Sequence, residues 1–459
     1  MLSTPYVWRM FAPFASFQSP YVALHGAAFL MLISFSPVLL GQSYTAWRTG
    51  AAESVDADPT FGVVLMGGAS EDANAMGWFL SRADGGDVLV LRASGSDGYN
   101  EFLYEDIGVP LNSVETIRCD GPGCASDPYV LGRIAEAEAV WLAGGNQQDY
   151  VSLWRGTAVE DALHALVFDR HGVIGGTSAG MAVLGWGYFG AASGTVYSSE
   201  ALEDPYNEDM DVAYGDFLRL PWLERVVTDS HYNDPDRRGR HMAFMARLAT
   251  DHGIAPLGIA ADEYVAVCID ESGWARVFGS YPDYEEFAYF VRGVCDELID
   301  IPGPVCQPGQ PLIWGDAGTA LHVWRADARQ YGNSGLQLSD WVETTGTGEW
   351  QYWWAPGDGT LATVTSDASQ AGPDCTVGLP SEPALLQAGR PLLTGSALPD
   401  GRVRIAWHGV DSVTAQWRDL SGRTVSTSVL RPGVQIIERA SALLCAEGAV
   451  LFFGLGITH

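Results

Sequence analysis

The sequence is poor in cations: 25 Lys and Arg stand against 56 Asp and Glu, for a formal net charge of −31. A surface of that sign repels phosphate backbones and anionic headgroups, which excludes nucleic acid as a partner. It identifies no ligand, because acidity attracts cationic substrates and equally keeps a salt-exposed protein soluble. Cysteines are also few, seven in 459 residues. Neither close pair, Cys119 with Cys124 or Cys295 with Cys306, has the companion His or Cys residues of a zinc site, so structural zinc is disfavoured. No second apolar run as long as Val22 to Leu40 follows that segment.

That single run lies behind a stretch whose only cation is Arg9 and ahead of Gly41-Gln42-Ser43. Residues 1–43 are therefore expected to be a secretion signal, with an uncleaved membrane anchor as the alternative. An oxidising destination suits the cysteines. The two close pairs fall in Gly- and Pro-containing loops and are expected disulfides, Cys375 and Cys445 can pair at longer range, and Cys268 is left as a buried thiol.

From Phe61 onward, short apolar runs alternate with amphipathic stretches. Gly62 to Met66, Asp87 to Leu91, Ala139 to Leu142, Gly172 to Ile174 and Arg225 to Thr228 each lead into a turn signal and read as buried strands. Between them lie helical patterns such as Ala158 to Arg170, with Val159, Leu163, Leu166 and Val167 on one stripe. The alternation predicts an α/β domain with a parallel sheet over residues 58–300. Beyond it the texture changes to short alternating runs rich in Gly, Pro, Trp and Thr. A β-rich extension over 301–365, a linker over 366–388 and a small β-sandwich over 389–459 are the expected remainder.

Chemistry concentrates at Gly176-Thr177-Ser178-Ala179-Gly180. A serine hydroxyl becomes a nucleophile when a base takes its proton and its oxygen stands clear of the backbone, and flanking glycines permit the sharp strand-to-helix turn that achieves this. A helix beginning at Ser178, with Met181, Leu184 and Trp186 as its apolar face, is expected to follow. His231, just after one predicted strand and before a predicted helix, is the best candidate base. His164 and His241 lie within helical patterns and His171 and His252 at helix ends, which reads as structural. Glu263, between the apolar runs Leu257 to Ala260 and Tyr264 to Ile269, is the first choice for the acid that orients His231, with Asp229 and Asp262 as alternatives. The backbone amides of Ala179 and Gly145 are the expected oxyanion donors. The spacing Asp229, His231, Asp234, Asp236 superficially suits a hard metal but matches no standard calcium loop, and no metal is expected. The order Ser, His, Glu differs from that of α/β-hydrolases.

Five motifs in order, Leu65-Met66-Gly67-Gly68-Ala69, Ala143-Gly144-Gly145-Asn146-Gln147, Gly175-Gly176-Thr177-Ser178-Ala179-Gly180, Asp229-Ser230-His231 with the arginine-bearing helix start after it, and Gly258-Ile259-Ala260-Ala261-Asp262-Glu263, resemble the serine peptidase family that contains cyanophycinase and aspartyl dipeptidase. The resemblance covers about residues 60–300. It implies a flavodoxin-like three-layer sandwich similar to class I glutamine amidotransferases, no cofactor, Ser178 as nucleophile, His231 as base and Glu263 as acid. It also implies that Gln147, Asp229, Arg237 and Arg240 line the substrate site, the arginines facing substrate carboxylates. Pro235 stands where a first such arginine would fall, and Ser230 where the family has Gln. The implied partner is a peptide or isopeptide, aspartyl-containing in this family, and export machinery; the oligomeric state is not readable. From about Leu385, the stretch Val413 to Arg423 and the short final strands resemble a type IX secretion sorting domain. The expectation is thus a secreted serine hydrolase working through an acyl-enzyme. The alternatives are an amidohydrolase or esterase with the same triad, or a non-catalytic binding protein on this scaffold.

Overall fold

The computed structural model describes residues 43–293, 303–315 and 320–365 in full, and the backbone of seven strands between residues 393 and 452. The chain opens with β1 (Tyr44–Gly50), β2 (Gly62–Met66), β3 (Asp87–Arg92), β4 (Ser113–Cys119), β5 (Ala139–Leu142) and β6 (Val173–Thr177). Strands β4, β3, β5, β6 and β2 lie side by side in that order, all parallel, and β1 closes the outer edge antiparallel to β4.

These strands read as unbroken apolar runs because both faces are covered. On one face Val64, Met66, Val88, Val90 and Trp141 pack with α1 (Ala73–Ser81) and with the residues after α2 (Gly98–Glu101). On the other, Val63, Leu65, Leu89, Leu91, Val140 and Leu142 pack with α3 (Pro128–Glu136), α4 (Gln147–Trp154) and α5 (Ala158–Phe168). The alternation of neighbouring residues between two cores is the pleat expressed in sequence. Helix starts carry their signals too: Asp72, Asp127 and Asn146 each accept a hydrogen bond from a first-turn amide.

After β6 the chain departs from expectation. The helix expected from Ser178 is a single turn, α6 (Ala179–Ala182), after which the chain enters β7 (Gly187–Phe189). Following α7 (Ser198–Glu203), strands β8 (Val212–Tyr214), β9 (Val226–Asp229) and β10 (Leu257–Ala261) join a second sheet rather than extending the first. Within it β7, β9 and β10 are parallel, and β10 pairs antiparallel with a later strand. Strands β11 (Ala266–Asp270) and β12 (Trp274–Phe278) return to the first sheet, β11 antiparallel to β2. The partner of β10 is β13 (Phe287–Gly293), which continues through Leu321–Asp327 to Gly348–Pro356. The apolar run of β9 announced burial correctly, but burial does not name the neighbouring strand.

The second sheet packs on the first: Val226, Ile259, Phe290 and Trp324 share the core that holds Leu65, Leu142 and Val267. Its far face, with Val227, Ala260, Tyr289 and Val291, lies under Met242, Phe244 and Met245 of α8 (Arg238–His252). The result is a mixed α/β fold with a parallel sheet and β-rich additions after it. Three of the final strands pair in one antiparallel sheet, Leu393–Ala397, Val403–Trp407 and Gly433–Ile437, and four in another, Val413–Arg418, Thr424–Leu430, Leu443–Ala446 and Ala449–Phe452. The expected signal over 1–43, except for Ser43, and the expected linker over 366–388 lie outside the described residues. Among the described residues no helix is long and apolar enough to cross a membrane.

Cys119 and Cys124 form a disulfide. Cys268 is a free thiol buried in β11. The expected Cys295–Cys306 bridge is corrected: Cys306 is a free thiol buried in the core under α8, and Cys295 lies outside the described residues.

Candidate active site

Ser178 occupies the turn between β6 and α6 with φ 54° and ψ −113°, a conformation costly for a residue with a side chain. Its neighbours make that turn feasible. A Cβ on Gly176 would come within 2.6 Å of the Gly180 backbone, and one on Gly180 would overlap the Leu142 carbonyl. The Ser178 N–H is held by the Met66 carbonyl at 3.0 Å, tying the turn to the end of β2.

His231 reaches the same place from β9 in the other sheet. Its backbone also has positive φ, 47°, and its N–H donates to the Gly67 carbonyl at 2.8 Å. The imidazole then lies directly over Gly68, where any Cβ would overlap the ring and where φ is +121°. Nε2 lies 2.7 Å from Ser178 Oγ, and Nδ1 lies 2.6 Å from Glu263 Oε1. A carboxylate at Nδ1 keeps the proton on that nitrogen, leaving Nε2 to accept from the serine hydroxyl. Glu263 follows β10, and its backbone N–H donates to Asn233 Oδ1 at 3.1 Å, while Tyr264 N–H donates to Gly68 O at 3.0 Å. The consecutive carbonyls of Met66, Gly67 and Gly68 thus seat all three segments.

The expected oxyanion donors flank the serine. Ala179 begins α6, where a first-turn amide has no intrahelical acceptor. Gly144 faces Ser178 so closely that a Cβ on it would sit 3.6 Å from that of the serine, and Gly145 is the next residue, exposed. Gln147 opens α4 and donates from Nε2 to the Phe189 carbonyl at 3.3 Å.

The remaining assignments change. Asp229 and Arg240, expected to face substrate, form a buried bidentate pair, Nε to Oδ2 at 2.9 Å and Nη2 to Oδ1 at 2.5 Å, each side chain 3% exposed. Arg240 spends Nη1 on Thr195 Oγ1 and the Val196 carbonyl. Burial alone would raise the Asp229 pKa, but the Arg240 charge and hydrogen bonds outweigh it and hold the carboxyl below its ordinary range. Neither group is left for a ligand, and Asp229 is too committed to serve as the acid of His231. Asp262 is excluded from that role by direction: its Oδ2 accepts from the Phe287 amide at 2.9 Å, on the side of β13. Arg237 differs. It donates from Nη1 to the Ser230 carbonyl, its Nε is buried without a partner, and burial and then Arg240 lower its pKa. Asp236 pairs with Arg238, and among the described residues no cluster of three or more His, Cys, Asp or Glu is placed to hold a metal.

Sequence reasoning did not find Gly68 as the seat of His231 or Asn233 as the anchor of Glu263. The glycine doublet after β2 was visible as a turn, but nothing in one chain says which side chain lies across it.

No family model matches the chain. It is 27% identical over 227 residues to the cyanophycinase of Synechococcus elongatus, a match covering 47% of this chain and 65% of that protein. Against the cyanophycinase of Trichormus variabilis the identity is 27% over 178 residues, covering 39% of this chain and 53% of the relative. The chain therefore spans less than two thirds of the length of these relatives. Among solved structures, a peptidase from an acI-B1 Actinobacterium aligns with a TM-score of 0.37 at 13% identity, over 51% of this chain and 91% of that one.

Proposed function

We propose that this protein is a serine-type peptidase of the cyanophycinase kind, cleaving peptide or isopeptide bonds through an acyl-enzyme on Ser178. The observation that carries the reading is the unbroken chain Ser178 Oγ, His231 Nε2, His231 Nδ1, Glu263 Oε1, at 2.7 and 2.6 Å. In that arrangement Oγ attacks the scissile carbonyl while its proton passes to Nε2. Glu263 stabilises the imidazolium, and the amides of Ala179 and Gly145 receive the developing oxyanion. His231 then protonates the leaving amine, and water, deprotonated by the same nitrogen, releases the acid.

The identity to cyanophycinases supports a peptidase, and the buried Arg240 narrows the substrate. With Pro235 at the first of the three positions and Arg240 neutralised by Asp229 at the third, Arg237 is the one of the three whose guanidinium is not spent on a carboxylate. A substrate carrying one carboxylate near the scissile bond, such as an aspartyl or isoaspartyl residue, fits that inventory. The Cys119–Cys124 disulfide supports export of the chain, which N-terminal sequencing of the mature protein checks.

The decisive experiment is fluorophosphonate labelling of the intact protein and its Ser178→Ala variant, followed by incubation with β-aspartyl-arginine oligomers, α-aspartyl peptides and simple esters. Labelling confined to the parent protein, with amide products released, is the expected result. A folded parent protein that takes no label refutes the reading, and label with ester turnover alone refutes its peptidase part.

A further inference from the structure

Tyr150 is fully buried in α4, its ring stacked on Trp154 at 4.5 Å between centroids and 11° between planes. Burial, against the nearby Arg92 charge and with the Asp149 charge adding to it, pushes its pKa well above the ordinary value, so the hydroxyl keeps its proton and acts as a donor. That proton is shared in a three-centre hydrogen bond between the Ala143 carbonyl at 2.7 Å and the Gly144 carbonyl at 3.3 Å. One hydroxyl therefore bridges the two consecutive carbonyls of the turn that lies against Ser178.

The carbonyl of Gly144 and the N–H of Gly145 belong to one planar trans peptide and point in opposite directions. A group that holds the carbonyl side also aims the N–H away from itself. Two adjacent glycines, with no side chains to restrict them, would otherwise leave this peptide free to rotate. We infer that Tyr150 is a positioning residue whose hydroxyl orients the Gly144–Gly145 peptide so that the Gly145 N–H meets the oxyanion formed at Ser178. The inference rests on the acyl-enzyme reading above.

An oxyanion donor acts on the transition state and little on bound substrate. In Tyr150→Phe, kcat is expected to fall roughly 10- to 100-fold, less than complete loss of a donor, with KM within about twofold. Affinity for a peptide boronate that matches the substrate should fall by the same factor, while affinity for the released acid product holds. Trp154→Phe loosens the same aromatic stack without touching the hydroxyl and should lower the melting temperature while keeping kcat. An unchanged kcat in Tyr150→Phe, or a loss shared equally with Trp154→Phe, overturns the role. If Tyr150→Phe does not fold, 3-fluorotyrosine at position 150 strengthens the donor at nearly constant shape, and a kcat that fails to move at fixed KM overturns it instead. An unlabelled, inactive parent protein refutes the peptidase reading itself. An active parent with an equally active Tyr150→Phe refutes only Tyr150.

Discussion

Replacing Asp262 with Asn should leave stability unchanged in acid and raise it at alkaline pH. The Asp262 carboxyl is 1% exposed, Oδ2 accepts one backbone hydrogen bond, and Oδ1 is buried with no partner. Burial, and then the neighbouring Glu286 carboxyl, push its pKa from 3.8 up to about 7, against the Phe287 amide and the charges of Arg238 and Arg325. Most structural carboxylates have depressed pKa values and favour folding as pH rises. This one is raised, so between pH 3.8 and about 7 the native protein binds more protons than the unfolded chain, and stability falls as pH rises through that window. The gap of about 3 pH units, at about 1.36 kcal/mol each, amounts to about 4 kcal/mol lost by pH 8. Asparagine reproduces the neutral acid in shape and still accepts from Phe287, so the variant should match the parent near pH 4 and exceed it by up to about 4 kcal/mol at pH 8. Urea titrations followed by tryptophan fluorescence at pH 4.5, 6 and 8 give the comparison. Subtracting variant from parent removes the titrating groups that do not interact with Asp262, and leaves Asp262 with its coupled neighbour Glu286. A difference that stays flat across the three pH values would refute the reasoning.

Three further outcomes follow from the site. Gly68→Ala places a methyl in the His231 ring at a backbone angle unsuited to alanine, and should cut kcat at least roughly 100-fold while the protein stays folded, measured by turnover and circular dichroism. Glu263→Gln keeps the shape but takes the charge from Nδ1, and a kcat loss on the order of 10⁴, with fluorophosphonate labelling slowed in parallel, is expected. Asp229→Asn strands the Arg240 guanidinium in the core, and should cost about 3–5 kcal/mol of stability in denaturant titrations.

The meeting of the three candidate residues was legible because each closes an apolar run. Ser178, His231 and Glu263 follow β6, β9 and β10, and polar residues at such boundaries must be capped, paired or functional. What the pattern did not carry was partnership. An arginine in the first turn of α8 looks available to solvent, and only the packing around Arg240 reveals it as spent on Asp229, Thr195 and Val196. The strand β9 was readable as buried, yet a four-residue run is equally apolar in either sheet. The helix expected after Ser178 failed for a local reason: the chain passes at once into β7, packed so closely on β9 that a Cβ on Gly185 would come 2.8 Å from the Val226 carbonyl.

The split of the proposed triad between two sheets bears on how the proposed activity would be inherited. Ser178 arrives on one layer, His231 and Glu263 on another, and their alignment is held by the packing of Val226, Ile259 and Phe290 against the layer of Leu65 and Leu142. No single strand-and-loop segment therefore contains all three residues, and transplanting the Ser178 pentapeptide into another α/β protein would carry over a strained turn without His231 and Glu263. Substitutions in the apolar seam, far from any substrate, become a route by which reactivity can drift while every polar residue of the site stays the same.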